Sequence, residues 1–215
     1  MINTYDYIIE KYHLSPGIQY FVEIPNMGRN DLAKLFWGLE FTKGVEIGVD
    51  RGEYSEILCA ANPKLHLTSI DAYTEDSYDP GIAAVPEAQK YLDGIYEEAK
   101  KRLAPYNCTL IKKRSMDAVS EFPDGSVDFV YIDGAHDFMN VTNDIHFWLK
   151  KVRVGGILAG HDYARFPSRK NNHVKKVVDS YFSSYHMFPY FIVGAFTYDE
   201  GFVRDRFRSW FWVKK

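Results

Sequence analysis

The sequence predicts an α/β fold: a doubly wound, mostly parallel sheet of seven strands with an antiparallel C-terminal edge strand. Three observations carry this expectation. Phe129 to Tyr163 (FVYIDGAHDFMNVTNDIHFWLKKVRVGGILAGHDY) reads as an apolar strand ending in Asp133, a helix from about Asn140, and a second apolar strand ending in His161 and Asp162. Lys43 to Gly48 reads as a strand that runs through Val49-Asp50-Arg51-Gly52 into another helix. Helical and strand patterns alternate through the middle of the chain, and two short apolar strands close it.

In chain order, residues 1–40 read as an N-terminal helical appendage to a domain covering residues 41–215. Tyr7, Ile8, Ile9 and Tyr12 share one helical face; a second helix starts at Asn30 or Asp31 with Leu32, Leu35 and Phe36 inward, after the turn Ile24-Pro25-Asn26. The helix behind the glycine turn carries Tyr54, Ile57, Leu58 and Ala61, and His66 to Ile70 form the next strand, ending in Asp71. Ala72 to Pro86 lacks periodicity and reads as a loop over the strand ends, a candidate lid. Ala88, Tyr91, Leu92, Ile95, Ala99 and Leu103 make a helical stripe, followed by a strand at Thr109 to Lys112. In the central unit Val141, Ile145, Trp148, Leu149 and Val152 fall on one helical face, and Gly155-Gly156 is expected to stop that helix. Val174, Val177, Val178, Tyr181 and Phe182 mark a last helix, before strands at Tyr190 to Val193 and Ser209 to Val213.

Composition narrows the function classes. The chain has 215 residues, which suits one full-sized core, and 46% hydrophobic with 26% charged residues argues against disorder or a fibrous repeat. A net charge of -3 gives no electrostatic footprint for nucleic acid. The two cysteines, Cys59 and Cys108, lack zinc-like or redox-pair spacing and read as reduced core or boundary residues. Met1 to Tyr20 lacks the order of a secretory signal and no apolar run approaches a membrane span, so a cytoplasmic protein is expected, with a small-molecule partner, no membrane or nucleic acid, and homo-oligomerisation left open.

In a parallel strand, helix, strand unit both strands end at the same sheet edge, so Asp133 and His136 should meet His161 and Asp162 there. The glycine turn is acidic, with Glu46 inside its strand and Asp50 where a dinucleotide site would keep a bare backbone for pyrophosphate. That acidity suits a cationic cofactor without phosphate, such as the sulfonium and ammonium of S-adenosylmethionine. Asp71, about twenty residues beyond the turn, stands where a ribose-binding acid belongs, and Ser115 follows the third strand. Each residue also has a structural reading: Glu46 as a salt-bridge partner, Asp71 as a helix cap, His136 as a loop histidine bonded to backbone, His161 as a residue that orients Asp162 or Tyr163.

The motifs VEIGVDRGEYS, SIDAY, YIDGAH…GGILAGHDY and RSWFWVKK resemble those of the class I S-adenosylmethionine-dependent methyltransferases, over roughly Lys43 to Lys215. The resemblance implies a Rossmann-like methyltransferase fold and cofactor contacts by Glu46, Gly48, Ser55, Asp71, Ser115 and Asp133. The central unit is also similar to that of the metal-dependent catechol-type O-methyltransferases. There, an acid at the position of Asp133 and an acid-amide pair at those of His161 and Asp162 hold magnesium, and a lysine at the position of His136 is the base. Here His161 replaces a carboxylate, His136 replaces the lysine, and the turn before Tyr54 is one residue longer. Imidazole is a poor ligand for Mg²⁺, so Asp133, His161 and Asp162 form a candidate site for Mg or Mn with the second better suited. The activity implied is O-methylation of a small-molecule or sugar hydroxyl, with or without a metal, and with His136 as the catalytic base. An oxidoreductase on a similar sheet and a catalytically inactive cofactor-binding protein remain as alternatives.

Overall fold

In a computed structural model, residues 3–15, 17, 19–77, 86–165, 172–197, 199–205 and 207–215 are described. The strands are β1 (Phe21–Ile24), β2 (Lys43–Ile47), β3 (His66–Asp71), β4 (Cys108–Lys112), β5 (Val127–Ile132), β6 (Val152–Gly160), β7 (Tyr190–Val193) and β8 (Ser209–Val213). The helices are α1 (Thr4–Lys11), α2 (Arg29–Gly38), α3 (Glu53–Ala61), α4 (Ala88–Leu103), α5 (Ser115–Ala118), α6 (Phe138–Lys151) and α7 (Val174–Ser184). They build one sheet in the order β4-β3-β2-β5-β6-β8-β7-β1. All pairings are parallel except those of β8, which runs antiparallel between β6 and β7.

All seven expected strands are present, and an eighth, β1, extends the sheet beyond β7 within the segment read as helices. Its four residues alternate between exposed and buried, too short a run to register as a strand pattern. The loop expected at Ala72 to Pro86 begins with a short 3₁₀ turn, Glu75–Ser77, while residues 78–85 and 166–171 lie outside the described residues. No helix among the described residues is long and apolar enough to cross a membrane.

The central helix ends earlier than its apolar stripe suggests. Val152 already belongs to β6, and the Lys214 ammonium donates to the carbonyls of Leu149, at 2.9 Å, and Val152, at 2.7 Å, closing the helix end from the far terminus. Gly155-Gly156 then lies inside a register shift of β6 against β5 rather than at the helix end.

The sheet separates two apolar layers. Alternate β5 residues divide between them: Phe129 and Tyr131 face α2 and α3, while Val130 and Ile132 face Ile145 and Trp148 of α6. Phe129 stacks on Phe36 of α2 with ring centroids 4.1 Å apart. Gly44 on the neighbouring strand makes room for that ring, since a Cβ there would lie 2.2 Å from Phe129. The chain winds one way from β2 to β4 and the other way from β5 to β6, so the carboxyl ends of β2 and β5 flank the switch point where open α/β sheets place ligands.

Gly44→Ala should lower stability by about 1–3 kcal/mol through overpacking against Phe129. Gly94→Ala, where an added Cβ meets nothing within 4 Å in the exposed face of α4, should raise it by about 0.5–1 kcal/mol. Urea unfolding of the two variants checks both signs.

Candidate active site at the carboxyl edge of the sheet

The site begins with the turn after β2. Gly48 has φ +85°, and a Cβ there would lie 2.1 Å from the carbonyl oxygen of Asp133. The Gly48 N–H donates to Ile70 O at 2.9 Å and the Asp133 N–H to Ile47 O at 2.7 Å, locking the ends of β2, β3 and β5 together. Asp71 closes the turn: its Oδ2 accepts from the N–H groups of Val49, at 2.8 Å, and Asp50, at 3.0 Å, while Oδ1 accepts from Tyr73 N–H at 3.2 Å. Gly48, Asp71 and Asp133 are thus brought to one edge, as expected from the sequence.

Glu46 and Ser55 are not open to that edge. Both are buried, and the Ser55 hydroxyl donates to Glu46 Oε2 while Ser69 Oγ donates to the same oxygen at 3.1 Å. Burial pushes the Glu46 carboxyl up to about 8, against the opposing pull of Ser55, Arg29 and Ser69. Ser115 faces α6 instead: its hydroxyl donates to Asp144 and accepts from Trp148 Nε1 at 2.7 Å. Asp144, buried there, is pushed up to about 7.

Beyond β5 and β6 the expected cluster forms. His136 Nε2 lies 2.6 Å from Asp162 Oδ2, and His161 Nδ1 lies 3.7 Å from Asp133 Oδ1. Burial raises Asp133 above the usual carboxylate range despite Arg29 and His161, whereas for Asp162 burial is outweighed by the adjacent His136, with His161 and Arg29, which hold it below. Burial lowers His161, opposed by Asp133. Asp162 takes φ +57°, so the backbone there is held in the left-handed region.

Arg29, on the first turn of α2, is the residue that sequence reasoning missed. Its Nη2 donates to Asp133 Oδ2 at 2.5 Å, and its guanidinium lies over the rings of Tyr54, at 4.0 Å, and Tyr131, at 5.3 Å. Tyr54 OH also donates to the Arg29 carbonyl at 3.0 Å. Burial opposes the charge of Arg29, but Tyr131, Asp133, Tyr54 and Glu46 together hold its pKa above the ordinary value.

The carboxylates of Asp50 and Asp71 at the ends of β2 and β3 suit a cationic, phosphate-free cofactor. For a metal, ligand atoms of Asp133, His136 and Asp162 lie within 4.8 Å of one another, with His136 in the place expected for His161. Asp133 already carries the Arg29 guanidinium, a fixed positive charge from outside the three ligands, so the arrangement as it stands does not fit an ion.

Residues 45–163 match a family model described as a methyltransferase domain. No curated protein matches the sequence. Among solved structures, the fold is similar to the O-methyltransferase TomG of Streptomyces achromogenes, involved in tomaymycin synthesis and solved in complex with SAM, at 17% identity and TM-score 0.57, covering 97% of this chain and 87% of that one. It is similar also to an O-methyltransferase from Bacillus cereus in complex with SAH, at 14% identity and TM-score 0.58, covering 98% and 87% of the two chains. At these identities the likeness concerns the fold.

The buried Glu46 gives the free protein a pH-dependent stability. A carboxyl whose pKa is raised by folding binds its proton more strongly in the folded state, so its contribution is full below the unfolded pKa and is lost as pH rises through about 8. Glu46→Gln should therefore gain relative to wild type by on the order of 4 kcal/mol between about pH 5 and about pH 9. Urea unfolding at both pH values measures it, and a pH-independent difference would count against a buried, titrating Glu46.

Proposed function

The chain belongs to the methyltransferase-domain family, and from that premise we propose that it is an S-adenosylmethionine-dependent O-methyltransferase acting on a hydroxyl of a small molecule or sugar. Family membership leaves the oxidoreductase reading without support. The observation that carries the O-methyl assignment is the His136–Asp162 pair at 2.6 Å, at the strand edge beside the turn that Asp71 closes.

S-adenosylmethionine, when bound, supplies a methyl group on a positively charged sulfur. The chain's own residues account for binding, orientation and the proton. Asp71, Asp50 and the bare backbone of Gly48 would hold the cofactor across the ends of β2 and β3, with Asp133 beyond them at β5. Glu46 and Ser55 fix the start of α3 against β2 beneath that turn. Ser115 likewise shapes the floor through Asp144 and Trp148. A hydroxyl acceptor loses its proton as it attacks, and His136 takes it. The Asp162 carboxylate beside the ring stabilises the imidazolium that forms. Phe138 and Met139, both exposed two and three residues after His136, give the acceptor's apolar part a surface to rest on.

Calorimetry should show S-adenosylmethionine binding that Asp71→Ala weakens by roughly 1–3 kcal/mol. Binding of NAD in preference to S-adenosylmethionine would overturn the assignment. In a turnover assay across hydroxyl acceptors, His136→Asn should lose roughly 10²–10⁴-fold in kcat with cofactor affinity nearly unchanged, because a general base acts on the transition state. A variant with near-native turnover would make His136 a structural loop residue.

A further inference from the structure

The acids at the carboxyl ends of β5 and β6 look, by residue type alone, like an ion site. Asp133, His136 and Asp162 bring their ligand atoms within 4.8 Å of one another, and two carboxylates with an imidazole suit Mn²⁺ or Zn²⁺ better than Mg²⁺. One of the acids, Asp133, however, already faces a cation from outside that set. Asp162 Oδ2 faces His136 at 2.6 Å, Asp133 Oδ1 faces His161 at 3.7 Å, and Asp133 Oδ2 faces Arg29 at 2.5 Å.

The Arg29 contact is built rather than incidental. The guanidinium rests on the face of Tyr54 at 4.0 Å, the Tyr54 hydroxyl holds the Arg29 carbonyl, and the helix that carries Arg29 is anchored two turns later by Phe36 stacked on Phe129. A guanidinium stays protonated at any working pH, so it cannot yield its place by losing its charge. A divalent ion at Asp133 would have to displace this cation and sit beside it, with like-charge repulsion in a half-buried setting.

We propose that Arg29 is the resident cation of this acid cluster: it occupies the place at Asp133 that an ion would take, and methyl transfer in this chain proceeds without a divalent metal. Arg29 is then a positioning residue, holding Asp133 at the strand end while leaving proton transfer to His136 and Asp162. The functional half of the statement rests on the methyl-transfer reading, whereas the occupancy half stands by itself.

The test titrates the full-length protein with Mn²⁺ alone and follows the resonance signal of the free ion. Wild type should bind weakly. Arg29→Gln and Arg29→Met, which keep a long side chain against Tyr54, should each bind Mn²⁺ at least about tenfold more tightly, since a positive charge beside the ion is gone. Arg29→Lys, which keeps the charge, should behave like wild type, and adding Asp133→Asn to Arg29→Gln should abolish the gain. Turnover of the wild type should be unchanged by chelator. Wild type that binds Mn²⁺ as tightly as the Gln variant overturns the proposal whatever the variants' folding. So does a folded Gln or Met variant with no gain, or a wild-type activity lost on chelation and restored by Mn²⁺. A wild type that binds neither S-adenosylmethionine nor Mn²⁺ counts against the methyltransferase assignment while supporting the place given to Arg29.

Discussion

The chemistry-bearing edge depends on the close approach of the turn after β2 to the end of β5. At Gly48 the backbone comes so near Asp133 that any side chain would strike its carbonyl, and the same two segments exchange the bond from Asp133 N–H to Ile47 O. A residue with a Cβ at position 48 would push the two strand ends apart. Asp71 would then no longer meet the turn's N–H groups, and Asp133 would move away from Arg29 and His161. Fold and site are therefore fixed by one contact at the topological switch point.

Charge is balanced around that contact by pairing across elements. Asp133 from β5 is met by Arg29 from α2, and Asp162 from β6 by His136 from the loop after β5. Glu46, deeper in the sheet, has two hydroxyls rather than a cation as its direct partners, and burial raises its pKa against their pull. Half-buried ion pairs contribute little net stability once desolvation is counted, but removing one partner leaves a buried charge at considerable cost. The arrangement thus favours one geometry of the edge over others more than it stabilises the fold.

Much of this was legible in the sequence because strand and helix periods are local. Parallel strands joined by a helix must end at one edge, which was enough to bring Asp133, His136, His161 and Asp162 together from their spacing. What local patterns do not contain was missed. Arg29 lies 104 residues from Asp133 in sequence, and nothing near it distinguishes it from any helix-start arginine. Ser55 and Ser115 sit at the expected places in the chain, yet the direction in which a helix's first turn faces is set by packing, here toward Glu46 and toward Asp144. The early end of α6 depends on Lys214, and β1 on β7, both distant in sequence.

The place of Arg29 nonetheless follows from matching two periods. Phe129, Tyr131 and Asp133 are alternate residues, so they share one face of β5 and its extension, about 13 Å from end to end at the rise of a strand. Arg29 and Phe36 are seven residues apart on α2, two helical turns and about 10 Å. A helix laid antiparallel over the strand with Phe36 on Phe129 must then carry Arg29 to Tyr131 and Asp133, which is where the guanidinium lies. The aromatic stack in the core therefore sets the register of a charged contact at the edge. A change that shifted Phe36 on Phe129 by one turn would move Arg29 off Asp133 without touching either residue.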